Sequence, residues 1–235
     1  MLTLGFDTAT EIGTVGLADG DQLLGEYTFK ATESQSERLL SSIDLLLDKT
    51  GFGVSEVEKV AVSRGPGSFT GLRIGISTAK GLAAGLDAPL VGVPLTSCYY
   101  SRVDYYPGPV ITLIKDRRDL VYVAGYDHDG EKVQEEESIS IEKVTEELIP
   151  QMVDSSRPVL VVGDGTPEHS EVLREAENTR LATGVNNYPS GLQIAFLGAS
   201  AESGENELAV LEPLYAQRPI AEVNWKKQQA GGGTN

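Results

Sequence analysis

The sequence predicts a two-lobed α/β protein made from a duplicated β-β-β-α-β-α unit. Three observations carry this. Two distant segments read as the same run of three short strands. Each is followed by an amphipathic helix. Each helix is followed by a parallel-type strand that ends in a glycine turn.

The first run is Leu2–Asp7, then Thr14–Asp21, then Gln22–Tyr27; the second is Ile111–Asp116, Val121–Asp127 and Gly130–Glu135. Short β-rich stretches separated by Asp/Gly turns read as hairpins. Helical spacing follows in Leu39, Leu40, Ile43, Leu46 and Leu47, and again in Ile141, Val144, Leu148 and Ile149. The strands after them are Val60–Ser63 and Val159–Gly163, closed by Gly65-Pro66-Gly67 and Gly163-Asp164-Gly165. A further helix is expected at Leu72–Leu86 in the first unit and near Leu192–Ala201 in the second. The lobes are expected at 1–106 and 107–227, parting near Tyr105-Tyr106-Pro107-Gly108-Pro109, with the last segment returning to the first lobe. The polar, glycine-rich 228–235 reads as a disordered tail.

Composition narrows the function classes. The 235 residues suffice for two lobes with real cores. No apolar run reaches the ~18 residues of a membrane span, and the start, Met1-Leu2-Thr3-Leu4-Gly5-Phe6-Asp7, lacks a basic region and turns polar too early for a signal peptide. With the lone Cys98, this points to the cytoplasm and away from membranes. Nineteen basic residues against 35 acidic give a net charge of −16, which repels nucleic-acid phosphates.

The run Ser63–Gly75 is the most distinctive. A strand, a glycine-rich turn and a helix start suit an anion. Yet glycines at 65, 67, 71 and 75 give G-x-G-x-x-x-G, one residue too long for a dinucleotide fingerprint, and no Lys completes a Walker loop. A tight structural turn and a phosphate cradle both remain open.

A duplicated βββαβα unit is the architecture of the actin, Hsp70 and sugar-kinase (ASKHA) superfamily, where nucleotide sits between lobes. Its first hairpins grip phosphate. Here they read Asp7-Thr8-Ala9-Thr10, with no glycine until Gly13, and Asp116-Arg117-Arg118-Asp119, whose arginines obstruct backbone approach but offer charged donors. Asp7, Thr8, Thr10, Arg117 and Arg118 are therefore candidates for a vestigial nucleotide cleft. Gly163-Asp164-Gly165 suits a turn or an adenosine contact. Neither His128 nor His169 belongs to a metal-binding pair, and Cys98 has no His nearby in sequence.

The run Arg64–Gly75, continuing to Ala79-Lys80-Gly81-Leu82-Ala83, resembles the TsaB (YeaZ) family, a bacterial subunit of the machinery that makes threonylcarbamoyladenosine in tRNA. Phe6-Asp7-Thr8-Ala9-Thr10, Pro89–Val93, Glu212-Pro213-Leu214-Tyr215 and Asn224-Trp225-Lys226-Lys227 add to it; the first half is covered well, the second loosely. One departure is Ser34-Gln35-Ser36-Glu37-Arg38, where many members carry a histidine. The catalytic paralogue TsaD has a metal-binding H-x-x-x-H where this chain has Leu95 and Tyr99. The resemblance thus implies a non-catalytic scaffold or dimerisation subunit acting with TsaD and TsaE. The complex forms N6-threonylcarbamoyladenosine at position 37 of tRNAs reading codons that begin with A. The chain would have no cofactor of its own: ATP, metal and threonylcarbamoyl-AMP belong to the partners, and tRNA is met only through the complex. It also implies a homodimer in isolation. Pairing would use the first two helices, with Arg38, Leu39, Ser42, Ile43, Leu72, Gly75, Ala79 and Leu82 as expected contacts. The alternatives are an active ATPase or sugar-kinase-like enzyme, which needs a competent cleft, and a metallopeptidase, which needs a histidine pair.

Overall fold

The computed structural model describes residues 1–30, 35–153, 157–201 and 207–214. The tail at 228–235, Tyr215, the Asn224–Lys227 motif and Ser34 lie outside the described residues.

The first half runs β1 (Leu2–Asp7), β2 (Ile12–Asp19), β3 (Gln22–Lys30), α1 (Gln35–Thr50), β4 (Lys59–Ser63), α2 (Phe69–Leu86), β5 (Leu90–Val93) and α3 (Leu95–Ser101). The second runs β6 (Val110–Lys115), β7 (Leu120–Tyr126), β8 (Lys132–Ser140), α4 (Ile141–Lys143), a π-helical turn (Val144–Leu148) and α5 (Ile149–Met152). It ends with β9 (Val159–Val162), α6 (Gly165–Glu168), α7 (Ser170–Glu175), β10 (Thr179–Leu181), α8 (Gly191–Ser200) and α9 (Glu207–Val210). The sheets are ordered β3-β2-β1-β4-β5 and β10-β9-β6-β7-β8, so each strand of one has its counterpart in the other. In both, the first strand pairs antiparallel with the second and parallel with the fourth.

Two features differ from the sequence expectation. Each unit has a fifth strand, β5 or β10, too short to show an alternating pattern. The helix at 191–200 is not the counterpart of α2. That role falls to α6 and α7, between β9 and β10, where Pro167 and a break at His169 erase helical periodicity.

Strand alternation sorts the core into layers. Leu2, Leu4 and Phe6 of β1 and Val60 and Val62 of β4 face outward from the seam between sheets, against Leu39, Ile43, Leu46 and Leu47 of α1 and Ile76, Ala79 and Ala83 of α2. Ile111 and Leu113 of β6 and Val159 and Val161 of β9 pack under Ile141, Val144, Leu148, Ile149 and Leu173. Between the sheets, one cluster joins Ala61, Val91 and Val93 of the first to Val110, Ile114, Leu160 and Val162 of the second, with Leu95, Cys98 and Tyr99 of α3 and Ile194 of α8.

Helix α8, from the second half, lies on the inner face of the first sheet. The fit is backbone to backbone: a Cβ on Gly16 would sit 2.1 Å from the Leu192 nitrogen, and one on Gly191 2.4 Å from the Gly16 nitrogen. Both ends of α8 are met by charge. Glu26 Oε1 accepts from the Ser190 hydroxyl (2.7 Å) and the Leu192 N–H (3.3 Å). The buried Lys59 ammonium donates to the carbonyls of Gly198 (3.0 Å), Ala199 (3.3 Å) and Ala201 (2.9 Å). An anion at the N-terminus and a cation at the C-terminus complement the helix dipole. Further on, Leu211 joins the outer core of the first sheet and the Leu214 N–H donates to the Arg64 carbonyl at 2.7 Å.

Among the described residues no helix is long and apolar enough to cross a membrane. Lys59→Met should leave the α8 carbonyls unpaired and cost about 2–3 kcal/mol. Gly16→Ala should cost about 3 kcal/mol or more through overpacking. Chemical denaturation of both variants measures this.

Candidate functional site

The glycine loop is spent on the chain itself. After β4, the Arg64 N–H donates to the Val93 carbonyl, and the Gly65 carbonyl accepts from Leu95 at 2.7 Å, starting α3. The Gly65-Pro66 peptide is cis. The Ser68 N–H donates to the Ala9 carbonyl at 2.8 Å, and the Ser68 hydroxyl caps α2 by accepting from Gly71. Thr8 Oγ1 donates to the Gly71 carbonyl at 2.7 Å. A Cβ on Gly71 would lie 1.9 Å from the Thr8 carbonyl oxygen, and one on Gly75 2.5 Å from Thr8 Oγ1. The glycines thus seat the Asp7–Ala9 turn against the start of α2, where an anion would otherwise approach. Thr10 is likewise engaged, its hydroxyl bonded to both backbone groups of Ile12.

The two hairpin tips differ. In the second half, Asp116 accepts from Ser138 Oγ at 3.0 Å and stands 3.8 Å from Arg117 Nε. Burial and the Asp116 charge push the Tyr122 hydroxyl up to about 12. Arg117 is solvent-exposed, and Arg118 occupies the left-handed region (φ 55°) at the turn.

Asp7 instead faces the seam. It ends β1 on the same face as Gly5 and is fully buried, its carboxylate facing the Ser63 hydroxyl and the N–H groups of Ala9, Thr10 and Thr8 at less than ideal hydrogen-bond geometry. Burial raises its pKa to about 6, partly offset by the nearby Ser63 hydroxyl and the N–H groups of Ala9, Thr10 and Thr8. Asp164 lies two residues beyond β9, after Gly163 (φ 125°), at the start of α6, and is half-buried. Its Oδ1 accepts the Lys115 N–H at 3.1 Å; burial first, then the Asp7 charge, raise it to about 7. Tyr99 of α3 brings a buried hydroxyl to the Asp164 backbone; burial and the charges of Asp164 and Asp7 push it well above its usual value. The Thr166 hydroxyl is buried without a partner. Cys98 is an inert thiol, pushed up to about 12 by burial.

Sequence reading took Gly163-Asp164-Gly165 as a turn or an adenosine contact and Tyr99 only as a replaced histidine. The one sequence signal that strand ends of both units lie near one seam is the duplication. Among the described residues no group of three or more His, Cys, Asp or Glu is placed to hold a metal.

The expected partner contacts fall on the inner sides of their helices. Leu39, Ser42, Ile43, Leu72, Gly75 and Ala79 are buried within the chain; Arg38 is exposed and Leu82 half-buried. Helices α1 and α2 lie side by side on the first sheet, so the faces that pack on it are the apolar ones. Their open sides carry Leu40, Leu45, Phe69, Arg73, Ser77, Gly81, Ala84 and Gly85, with Arg73 over the Phe69 ring at 4.3 Å. Gly81 and Gly85 have nothing within 4 Å of an added Cβ.

Two five-stranded sheets of matched order, joined through helices at a common seam, define an actin-like α/β protein. The activator of 2-hydroxyisocaproyl-CoA dehydratase from Clostridium difficile, solved with bound ADPNP, shares this fold (TM-score 0.52, 14% identity, all of both chains covered). The family model described as TsaD, tRNA N6-adenosine threonylcarbamoyltransferase, matches residues 29–225. The chain is 26% identical to the tRNA threonylcarbamoyladenosine biosynthesis protein TsaB of Bacillus subtilis, covering 97% of this chain and 100% of that one. With its Escherichia coli namesake the identity is 29%, covering 97% and 98%. YeaZ from Pseudomonas aeruginosa superposes with a TM-score of 0.74 at 26% identity, covering 91% of this chain and 99% of that one. The chain belongs to the TsaB (YeaZ) family.

Gly81→Ala should stabilise the isolated chain by about 0.5–1 kcal/mol, since helix propensity rises and no contact is lost. Gly71→Ala should unfold it or cost about 3 kcal/mol or more. Urea denaturation distinguishes the two.

Proposed function

We propose that this chain is a non-catalytic subunit in the biosynthesis of N6-threonylcarbamoyladenosine at position 37 of tRNAs reading codons that begin with A. It supports a TsaD partner, with TsaE as third component, and pairs with itself in isolation. The observation that carries this reading is a full-length match to TsaB proteins in a chain whose glycine loop is packed against its own first turn. Leu95 and Tyr99, buried in α3, stand where the resemblance puts the metal-binding histidines of TsaD. ATP, metal and threonylcarbamoyl-AMP are therefore assigned to the partners. The charge of −16 favours tRNA contact through the complex rather than through this chain.

The contact surface for TsaD is the open side of the α1–α2 pair. Gly81 and Gly85 lower helix propensity and are not required by packing inside the chain. They let a partner helix approach closely. Phe69, Leu40 and Leu45 supply exposed apolar area beside them.

Reconstituted tRNA modification with TsaD and TsaE should require this chain; equal product without it overturns the reading. Gly81→Arg and Ala84→Glu should each weaken TsaD binding tenfold or more, about 1.4 kcal/mol, with unfolding temperature nearly unchanged. Ala79→Glu, which buries a charge, should instead unfold the chain. Calorimetric titration with Mg-ATP should show no binding to the chain alone.

A further inference from the structure

Helix α2 stands apart in charge. In a chain of net charge −16 it is, among the described helices, the one with basic residues and no acidic ones, carrying Arg73 and Lys80. Helix α1 beside it exposes Glu37 and Asp44. Within each pair the two residues are seven apart in sequence. Seven residues are two helical turns, so each helix holds its two like charges on one side, about 10.5 Å apart. Arg73 is exposed and Lys80 half-buried. The Arg73 guanidinium rests over the Phe69 ring at 4.3 Å, which holds it at the surface. Among the described residues, none of these four charges has an ion pair within the chain.

We propose that the four residues are a charge code for self-pairing. Helix α1 of one copy lies along α2 of a second copy, Glu37 facing Arg73 and Asp44 facing Lys80, and a two-fold axis repeats the contact. This register rests on the self-pairing proposed above and says which residues set it.

Strands β3, β4 and β5 all run in one direction. Helix α1 links β3 to β4 and α2 links β4 to β5, so the two helices also run in one direction. A two-fold axis parallel to them sets α1 of each copy beside α2 of the other, N-terminus by N-terminus. The matched spacing then brings both acids to both bases. A two-fold axis perpendicular to the helices instead sets α1 on α1 and α2 on α2, and opposes like charges. Selection between the two matters here, because each copy repels the other through its charge of −16. A contact that meets acids with cations is favoured over one that does not. The exposed Leu40, Leu45 and Phe69 add apolar area on these two helices, and Gly81 and Gly85 allow close approach.

Sedimentation equilibrium of the full chain without TsaD, over a range of concentrations, tests the code by charge swapping. Arg73→Glu/Lys80→Glu and Glu37→Lys/Asp44→Lys should each raise the dimer Kd at least about tenfold, with the urea midpoint nearly unchanged. Mixed in equal amounts, the two variants should recover a dimer within about threefold of the wild-type Kd, because opposite charges then meet at both α1–α2 contacts. Native mass spectrometry should find one copy of each variant in it. Arg73→Glu and Glu37→Lys as single changes, both at exposed positions, should give the same pattern at smaller amplitude if Lys80→Glu unfolds the chain. Arg174→Glu/Arg180→Glu, which changes net charge equally at exposed positions of the second half, should shift Kd by no more than about twofold. An unchanged Kd in both reversed variants, or no recovery on mixing, overturns the code. Dispersal of the dimer by Gly81→Arg in that case shows that the pairing face itself still stands. A wild type that stays monomeric throughout overturns the self-pairing and the code together.

Discussion

The structure depends on the seating of α8 against the first sheet. A helix from the second half crosses to the first and lies so close that Gly16 and Gly191 leave no room for a Cβ. Glu26 and Lys59, both from the first half, meet its two ends. This contact needs complementary charge, helix polarity and absent side chains together, so it admits one register. It also fills the inner face of the first sheet. With α3 it turns the space between the sheets into a shared core, lined by residues of both halves.

That filling explains the character of the site. In an actin-like fold the strand ends at the seam are where a ligand would sit. Here Thr8 and Ala9 fill the space before α2, and the Ser68 and Gly71 N–H groups are already bonded. Polar groups near the seam include Asp7, Asp164 and Tyr99, with Ser63 at Asp7 and Arg102 near Cys98. The outer side of α1 and α2 is exposed, and α2 divides its small residues between a packed and an open side. Gly71 and Gly75 face the first turn, whereas Gly81 and Gly85 face open space.

Much of the architecture was legible in the chain. The hairpins show alternating residues and Asp/Gly turns, and α1 and α2 show helical spacing, because each signal is local. The short β5 and β10 and the broken α6–α7 were not, since four residues or a proline hide any period. The glycine run was visible, but not which glycines served packing. The candidate partner residues lie mostly on the buried sides of α1 and α2, because periodicity marks an apolar face and the sheet takes that face first.

By itself the sequence determined the α/β class, the duplication and the family, since these rest on local periodicity and on motif residues read in order. Only the tertiary structure decided where α8 docks, that the glycine loop packs against the Asp7–Ala9 turn, and which sides of α1 and α2 stay open. The physical reason is that burial and charge coupling between residues far apart in the chain are set by how closely two backbones approach. No local pattern encodes that distance.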